Sequence, residues 1–122
     1  MLFRLSLPLL ISSVAGIDNG LGLRPPLGWR SWYLFKSTPT QSRFMPILSG
    51  MVNRSRKVDG KPTSLLDLGY KDVGLDNGWQ SCTGDKYMYH NDSGYPIVNQ
   101  QRFPSMSNMT AHAHSLGLTM SW

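Results

Sequence analysis

Gly69-Tyr-Lys-Asp-Val-Gly-Leu-Asp-Asn-Gly-Trp-Gln80 is the stretch on which the reading of this chain turns. Its pattern predicts a short strand over Lys71 to Leu75 that opens into a loop carrying a carboxylate, an amide, a glycine and an indole. A carboxylate beside an aromatic face suits sugar binding, because the acid accepts hydroxyl hydrogen bonds and the ring covers a C–H face. Asx residues at such a position also cap turns through their own backbone, so Asp76 and Asn77 have a purely local use as well.

The flanking segments alternate in type. Pro25-Pro26 leads into Leu27 to Trp32, an aromatic-rich strand candidate. Phe44, Ile47, Leu48, Met51 and Val52 then follow one face of a helix. Pro46 lacks an N–H and belongs in a first turn, which places the helix start no earlier than about Ser42, with that serine as cap. Val58 to Thr63, with Asp-Gly and Lys-Pro, has the composition of a loop. Ser64 to Leu68 adds a helical turn that Gly69 stops. After the Lys71–Leu75 strand comes a polar, tyrosine-rich excursion, Ser81 to Gln101, turning at Asn91-Asp-Ser-Gly94. A second helix is predicted from Pro104 or Ser105 to Ser115, with Met106, Met109, Ala113 and Leu116 inward and Gly117 as its stop. Leu118 to Trp122 reads as a further strand. Strand–helix–strand–helix–strand implies an α/β fold with a parallel sheet and right-handed crossovers.

Composition narrows the function classes. The chain has 122 residues, enough for one small domain, and its 40% hydrophobic content supports a core. The net charge is +5 and all seven acidic residues are aspartate. The basic residues are scattered singly except for Arg54, Arg56 and Lys57, which lie where the first helix should end and suit its dipole. No nucleic-acid signature accompanies them. Residues 1–16 resemble an export signal: Arg4, then an apolar run from Leu5 to Ile11, then small residues with Ser13 and Ala15 in the small-x-small pattern. That run is too short to span a bilayer. The acceptor sequons Asn53-Arg-Ser55, Asn91-Asp-Ser93 and Asn108-Met-Thr110 agree with a secretory or lysosome- or vacuole-like route. Cys82 is the single cysteine, and in an oxidising compartment a lone thiol suggests a disulfide partner beyond Trp122. Nothing calls for a cofactor or a metal: His112 and His114 stand two apart on a helix and face different ways, and His90 is isolated.

Taken in order, Asn19-Gly-Leu21, Pro25-Pro-Leu-Gly-Trp-Arg-Ser-Trp32, Gly69-Tyr70, Leu75-Asp-Asn-Gly-Trp-Gln80, Asp92-Ser-Gly94, Arg102-Phe-Pro104 and His114-Ser-Leu-Gly-Leu118 resemble the N-terminal part of glycoside hydrolase family 27, the α-galactosidases and α-N-acetylgalactosaminidases. The resemblance covers almost all of residues 17–122. It implies a partial (β/α)8 TIM barrel, comprising the first three strands and two helices, with the site at the C-terminal strand ends. It makes Trp29 a wall of a galactose pocket, although core packing is the commonest use of such a residue. Trp32 and Phe35 read as core, and Trp79 suits either place. The resemblance makes Asp76 and Asn77 the holders of the sugar 4- and 6-hydroxyls.

Two departures qualify this expectation. The family usually has a second aspartate where Asn77 stands. Hydrogen bonds to charged groups are worth about 1.5–3 kcal/mol against about 1 for neutral ones, so the exchange weakens the grip on the sugar. The family's nucleophile and acid/base aspartates lie on strands four and six, which a chain of this length does not reach, since a barrel takes about 250 residues. The sequence therefore reads as an N-terminal fragment of a secreted retaining α-galactosidase acting on terminal α-galactosides of oligosaccharide, glycolipid or glycoprotein, inactive alone. A non-catalytic or degenerate galactose-binding relative is the alternative.

Overall fold

Val73 and Leu75 are fully buried while Gly74 between them faces the other way, and this alternation sets the architecture. The computed structural model describes residues 19–20, 22–81 and 89–122. The expected export segment and Cys82 lie outside the described residues. Three short strands, β1 (Gly28–Arg30), β4 (Asp72–Gly74) and β5 (Thr119–Ser121), form a parallel sheet in the order β1-β4-β5. Gly28 is opposite Asp72, Trp29 opposite Val73 and Arg30 opposite Gly74, and on the other edge Val73 is opposite Met120. The expected parallel sheet with covering helices is present. Each strand is shorter than its apolar pattern predicted, because pairing ends where the loops take over the backbone bonds, as when Ser31 N–H donates to the Gly74 carbonyl.

One face of the sheet packs against helices α2 (Gln41–Val52) and α3 (Met106–Ser115). Phe44, Leu48 and Met51 from α2 meet Met109 and Ala113 from α3 over Val73, Leu75, Phe103 and Leu118. Burial of such side chains contributes roughly 1.5–3 kcal/mol each. Met106 and Leu116 pack at the margin of this core, as the α3 pattern predicted. Ser105 caps α3 by accepting from the Asn108 N–H. Gly117 ends it at φ 80°, where its N–H returns to the His114 carbonyl and that of Leu118 to Ala113. That paired return satisfies carbonyls that a helix end would otherwise leave open.

Four local expectations are corrected. Helix α2 starts at Gln41 and its cap is Thr40, whose Oγ1 accepts from Arg43 N–H at 3.3 Å. Pro46 therefore lies one turn inside the helix, where the tertiary packing of Phe44 and Leu48 outweighs one missing backbone bond. The residues after β1 form a short helix, α1 (Trp32–Phe35), in place of the end of the expected strand at Trp32 and the loop after it. Val58 to Thr63 contains a two-stranded hairpin, β2 (Lys57–Val58) and β3 (Lys61–Pro62), around Asp59 and Gly60, both at positive φ. Asp-Gly is a known hairpin dipeptide, but its flanks here lack the alternating apolar pattern. Finally, Arg54 does not serve the end of α2. It lies beyond the helix and forks onto Asp67, with both bonds at 2.7 Å. Asp67 and Ser64 also exchange N–H bonds reciprocally, fastening the 3₁₀ turn Leu66–Leu68. These bonds hold the Asp67 carboxyl well below the usual carboxylate range.

The loop after β4 is seated with little tolerance. Gly78 has φ 96°, and a Cβ there would lie 2.4 Å from the Ser37 carbonyl oxygen. Arg102 donates from one guanidinium nitrogen to the carbonyls of both Ser37 and Gly78, at 2.8 and 3.0 Å. Gly78→Ala adds backbone strain and a clash, and is expected to lower unfolding free energy by about 1–3 kcal/mol. Urea denaturation of both chains measures the difference, and equal midpoints would refute this account of the joint.

Candidate functional site

Alternation along β1 and β4 places Arg30, Asp72, Gly74 and Asp76 on the sheet face turned away from the helices. A cavity of about 420 Å³ lies on this open face, lined by Pro26, Gly28, Trp29, Arg30, Gly74 and Ser121 together with Asp72. The Arg30 guanidinium crosses Gly74 closely enough that a Cβ there would sit 2.7 Å from its terminal nitrogen. Its Nε donates to Asp76 Oδ2 at 2.7 Å. The other carboxylate oxygen accepts from the Asn77 N–H, and the Asp76 N–H donates to the hydroxyl of buried Ser31, each at 2.8 Å. The local capping use of Asp76 is therefore realised, and it coexists with a carboxylate presented at the strand end. The Asn77 N–H and then Arg30 hold the Asp76 carboxyl below its ordinary value. Asp72 is engaged by the Thr119 hydroxyl.

Trp29 is the middle residue of β1, opposite Val73, and it borders the open-face cavity while its ring packs on the helix layer. It packs edge-on against Phe35 at 5.7 Å and Phe44 at 5.5 Å between centroids, and it is half-buried against the core. The core use of Trp29 is thus what the ring contacts display. Phe35 is buried as read, whereas Trp32 remains 44% exposed and so is not core. Asn77 is exposed and lines a second cavity of about 290 Å³ together with Trp79, Gln80, Tyr89, His90 and Pro96. The structure therefore joins Asp76 to Arg30 and to the Asn77 N–H, packs the Trp29 ring on the helix layer and places Asn77 at the second cavity. Arg30 escaped the sequence reading, although its two-residue spacing from Gly28 on a strand is the signal that puts it on the open face.

The three sequon asparagines, Asn53, Asn91 and Asn108, are all exposed. Asn53 follows α2, and its side-chain oxygen accepts from Ser55 N–H, while that of Asn91 accepts from Ser93 and Tyr95 N–H. Asn108 lies in the first turn of α3, and the hydroxyl of Thr110 is buried there without a partner. Among the described residues no group of three or more His, Cys, Asp or Glu side chains is arranged to hold a metal, and no helix is long and apolar enough to cross a membrane.

Comparison with known proteins fits this sheet and its loops. No protein-family model matches the chain. The α-galactosidase mel1 of Schizosaccharomyces pombe is 30% identical over 116 residues, covering 94% of this chain and 23% of the relative. The α-galactosidase of Coffea arabica is 30% identical over 105 residues, or 85% of this chain and 24% of that one. The solved structure of the Saccharomyces cerevisiae α-galactosidase with raffinose superposes with a TM-score of 0.65 at 25% identity, over 84% of this chain and 19% of the other. This chain is a relative of the family 27 α-galactosidases. It spans about a quarter of the length of the curated relatives it matches.

In this α-galactosidase relative the Arg30–Asp76 pair has a pH signature. The folded pKa of Asp76 lies below the unfolded value of about 3.9. Its stabilising contribution is therefore present above that value and is lost as pH falls through the folded midpoint. A carboxyl titration by NMR should place Asp76 below about 3.9, and Arg30→Gln should move the midpoint upward. An unmoved midpoint in Arg30→Gln would show that the guanidinium does not hold the carboxylate.

Proposed function

We propose that this chain supplies the first three strands of the (β/α)8 barrel of a secreted α-galactosidase-type retaining hydrolase that removes terminal α-galactosyl residues from glycosides. Residues 17–122 are the barrel part and residues 1–16 the export signal in this reading. The observation that carries it is the position of Asp76, beyond the C-terminal end of the central strand, on the open face, in a chain related to α-galactosidases. Active sites of barrel enzymes lie at that end of the strands. Asp76 accepts sugar hydroxyls, Asn77 adds an uncharged acceptor and donor from the same loop, and Trp29 backs the site by fixing β1 on the core.

Retaining hydrolysis takes two carboxyl groups about 5–5.5 Å apart across the scissile bond. On the open face the described carboxylates are Asp72 and Asp76, and each is tied by a hydrogen bond, to Thr119 and Arg30 respectively. We assign nucleophile and acid/base to parts of the barrel outside this chain, and Cys82 to a disulfide with a partner outside it. A second reading, a galactose-binding relative without catalysis, is favoured by Asn77 and by the occupied state of Asp76.

The test is direct. The 122-residue chain should turn over no aryl α-galactoside, yet galactose should shift the amide signals of Asp76 and Asn77 while its 4-epimer glucose leaves them in place. Asp76→Ala removes a charged acceptor and should weaken galactose binding by about 10- to 100-fold. Turnover that disappears in Asp76→Ala would overturn the assignment of catalysis elsewhere, and equal responses to galactose and glucose would overturn the sugar reading. Expressed in a eukaryotic cell, the chain should be exported with glycans on Asn53, Asn91 and Asn108. Intracellular retention with no mass loss on enzymatic deglycosylation would sink the secretory part.

A further inference from the structure

Arg30, Gly74 and Ser121 stand in one row across the three strands, since Arg30 is opposite Gly74 and Gly74 is opposite Ser121. All three line the open-face cavity of about 420 Å³, a volume suited to a small ligand. Gly74 has no side chain, so the guanidinium lies over it, where a Cβ would meet its Nη1 at 2.7 Å. Only the Nε of Arg30 is committed, to Asp76 Oδ2. Among the described residues its terminal nitrogens, Nη1 and Nη2, have no hydrogen-bond partner, and the side chain is 57% exposed. One edge of the guanidinium is thus fixed and the other is open.

The charges around this open edge leave room for an incoming anion. Asp76 and Arg30 neutralise each other. Asn77, next in the chain, is uncharged, whereas the family's usual aspartate would set a second carboxylate beside the first. Asp72 lies two residues back along β4, about 6.6 Å toward the other strand end, and is engaged by the Thr119 hydroxyl. The chain as a whole carries +5. A planar fork of free N–H groups is the side-chain arrangement best matched to a carboxylate, which it binds through paired hydrogen bonds. Ser121 adds a neutral hydroxyl to the cavity from the third strand.

We propose that the open-face cavity takes an acidic α-galactoside, a galacturonosyl unit whose C6 carboxylate is held by the terminal nitrogens of Arg30 while Asp76 accepts from its 4-hydroxyl. This rests on the assignment of Asp76 to a sugar of galacto configuration. In that configuration the axial 4-hydroxyl and the C6 group leave the ring on the same face. A sugar whose 4-hydroxyl sits on Asp76 therefore presents C6 to the group bound on the same carboxylate, which is Arg30. Arg30 then bridges two carboxylates, one from the protein and one from the sugar. The amide of Asn77 is a poorer holder of a neutral 6-hydroxyl, but it removes the like-charge repulsion that an aspartate would set against an acidic sugar.

NMR titration of the full chain with methyl α-galacturonoside, its neutral C6 amide, methyl α-galactoside, methyl α-glucuronoside and sodium acetate tests the proposal. The galacturonoside should bind about five- to tenfold more tightly than the galactoside, the gain expected of one charge-assisted pair at a partly exposed site, and should shift the guanidinium signals of Arg30. The amide should lose that gain, which tests the charge without altering the protein. Arg30→Gln should bring galacturonoside and galactoside to equal affinity, and Arg30→Lys, which keeps the charge without the fork, should retain part of the difference. A galacturonoside no tighter than the galactoside, or an advantage kept by the amide or by Arg30→Gln, overturns the acidic-sugar inference and leaves the galactose reading standing. Acetate or the glucuronoside binding as tightly as the galacturonoside also overturns it, since Arg30 would then take an anion whatever carries it. Silence of Asp76 toward every ligand of galacto configuration overturns both readings together.

Discussion

The central strand β4 is hydrogen-bonded on both edges, and the rest of the structure depends on that double pairing. Its three residues fix which side chains go to the core and which to the open face, because a slip of one residue would exchange Val73 with Gly74. Val73 and Leu75 are then locked under α2 and α3, and the acid that follows them is directed outward. Gly28 shows how closely β1 and β4 approach: a Cβ on it would fall 1.9 Å from the Asp72 carbonyl oxygen. The glycine allows the contact, and the contact brings Arg30 across Gly74 to Asp76.

Beyond the strand, position is maintained by a polar joint together with the packing of Trp79 on the core. Gly78 lets the loop touch the Ser37–Pro39 segment, and Arg102 bridges the two carbonyls that meet there. Gln41 N–H donates to the Arg102 carbonyl, and the Gln41 side chain accepts from Ser105 N–H, so the starts of both long helices join the same network. A site resting on such a joint is carried by the scaffold even though its residues lie in loops. The chemistry that results is a carboxylate already supplied with donors. A donor that reaches Asp76 meets an acceptor whose orientation is set by Arg30 on one oxygen and by Asn77 N–H on the other.

Much of the fold was legible because the apolar periods were unambiguous. The inward faces of α2 and α3, the glycine stop at Gly117, the Asn91–Gly94 turn and the parallel order all follow from local pattern and turn chemistry. The cap of α2 was misread because Pro46 was given more weight than the packing of Phe44. The strand was carried as far as Trp32, with a loop after it, because aromatic residues have strand propensity, while the actual helix Trp32–Phe35 depends on Ser31 turning under Gly74 and Asp76. Arg54 was misread because its partner Asp67 lies 13 residues away, beyond the reach of a dipole argument.

For the site, the sequence by itself determined the ingredients: an acid and an amide at a strand end, indoles nearby, sequon asparagines on polar segments, and the kinship with α-galactosidases. These are statements about residue type and spacing, which local chain geometry translates directly. Only the tertiary structure decided how they are shared out. Strand alternation turned the Trp29 ring toward Phe44 and away from Asp76. The approach of β1 to β4 gave Asp76 its arginine, and backbone bonds joined residues 79–81 to residues 89–99 beside a second cavity. Each of these depends on contacts between segments far apart in the chain, and no local pattern encodes a distance across a sheet.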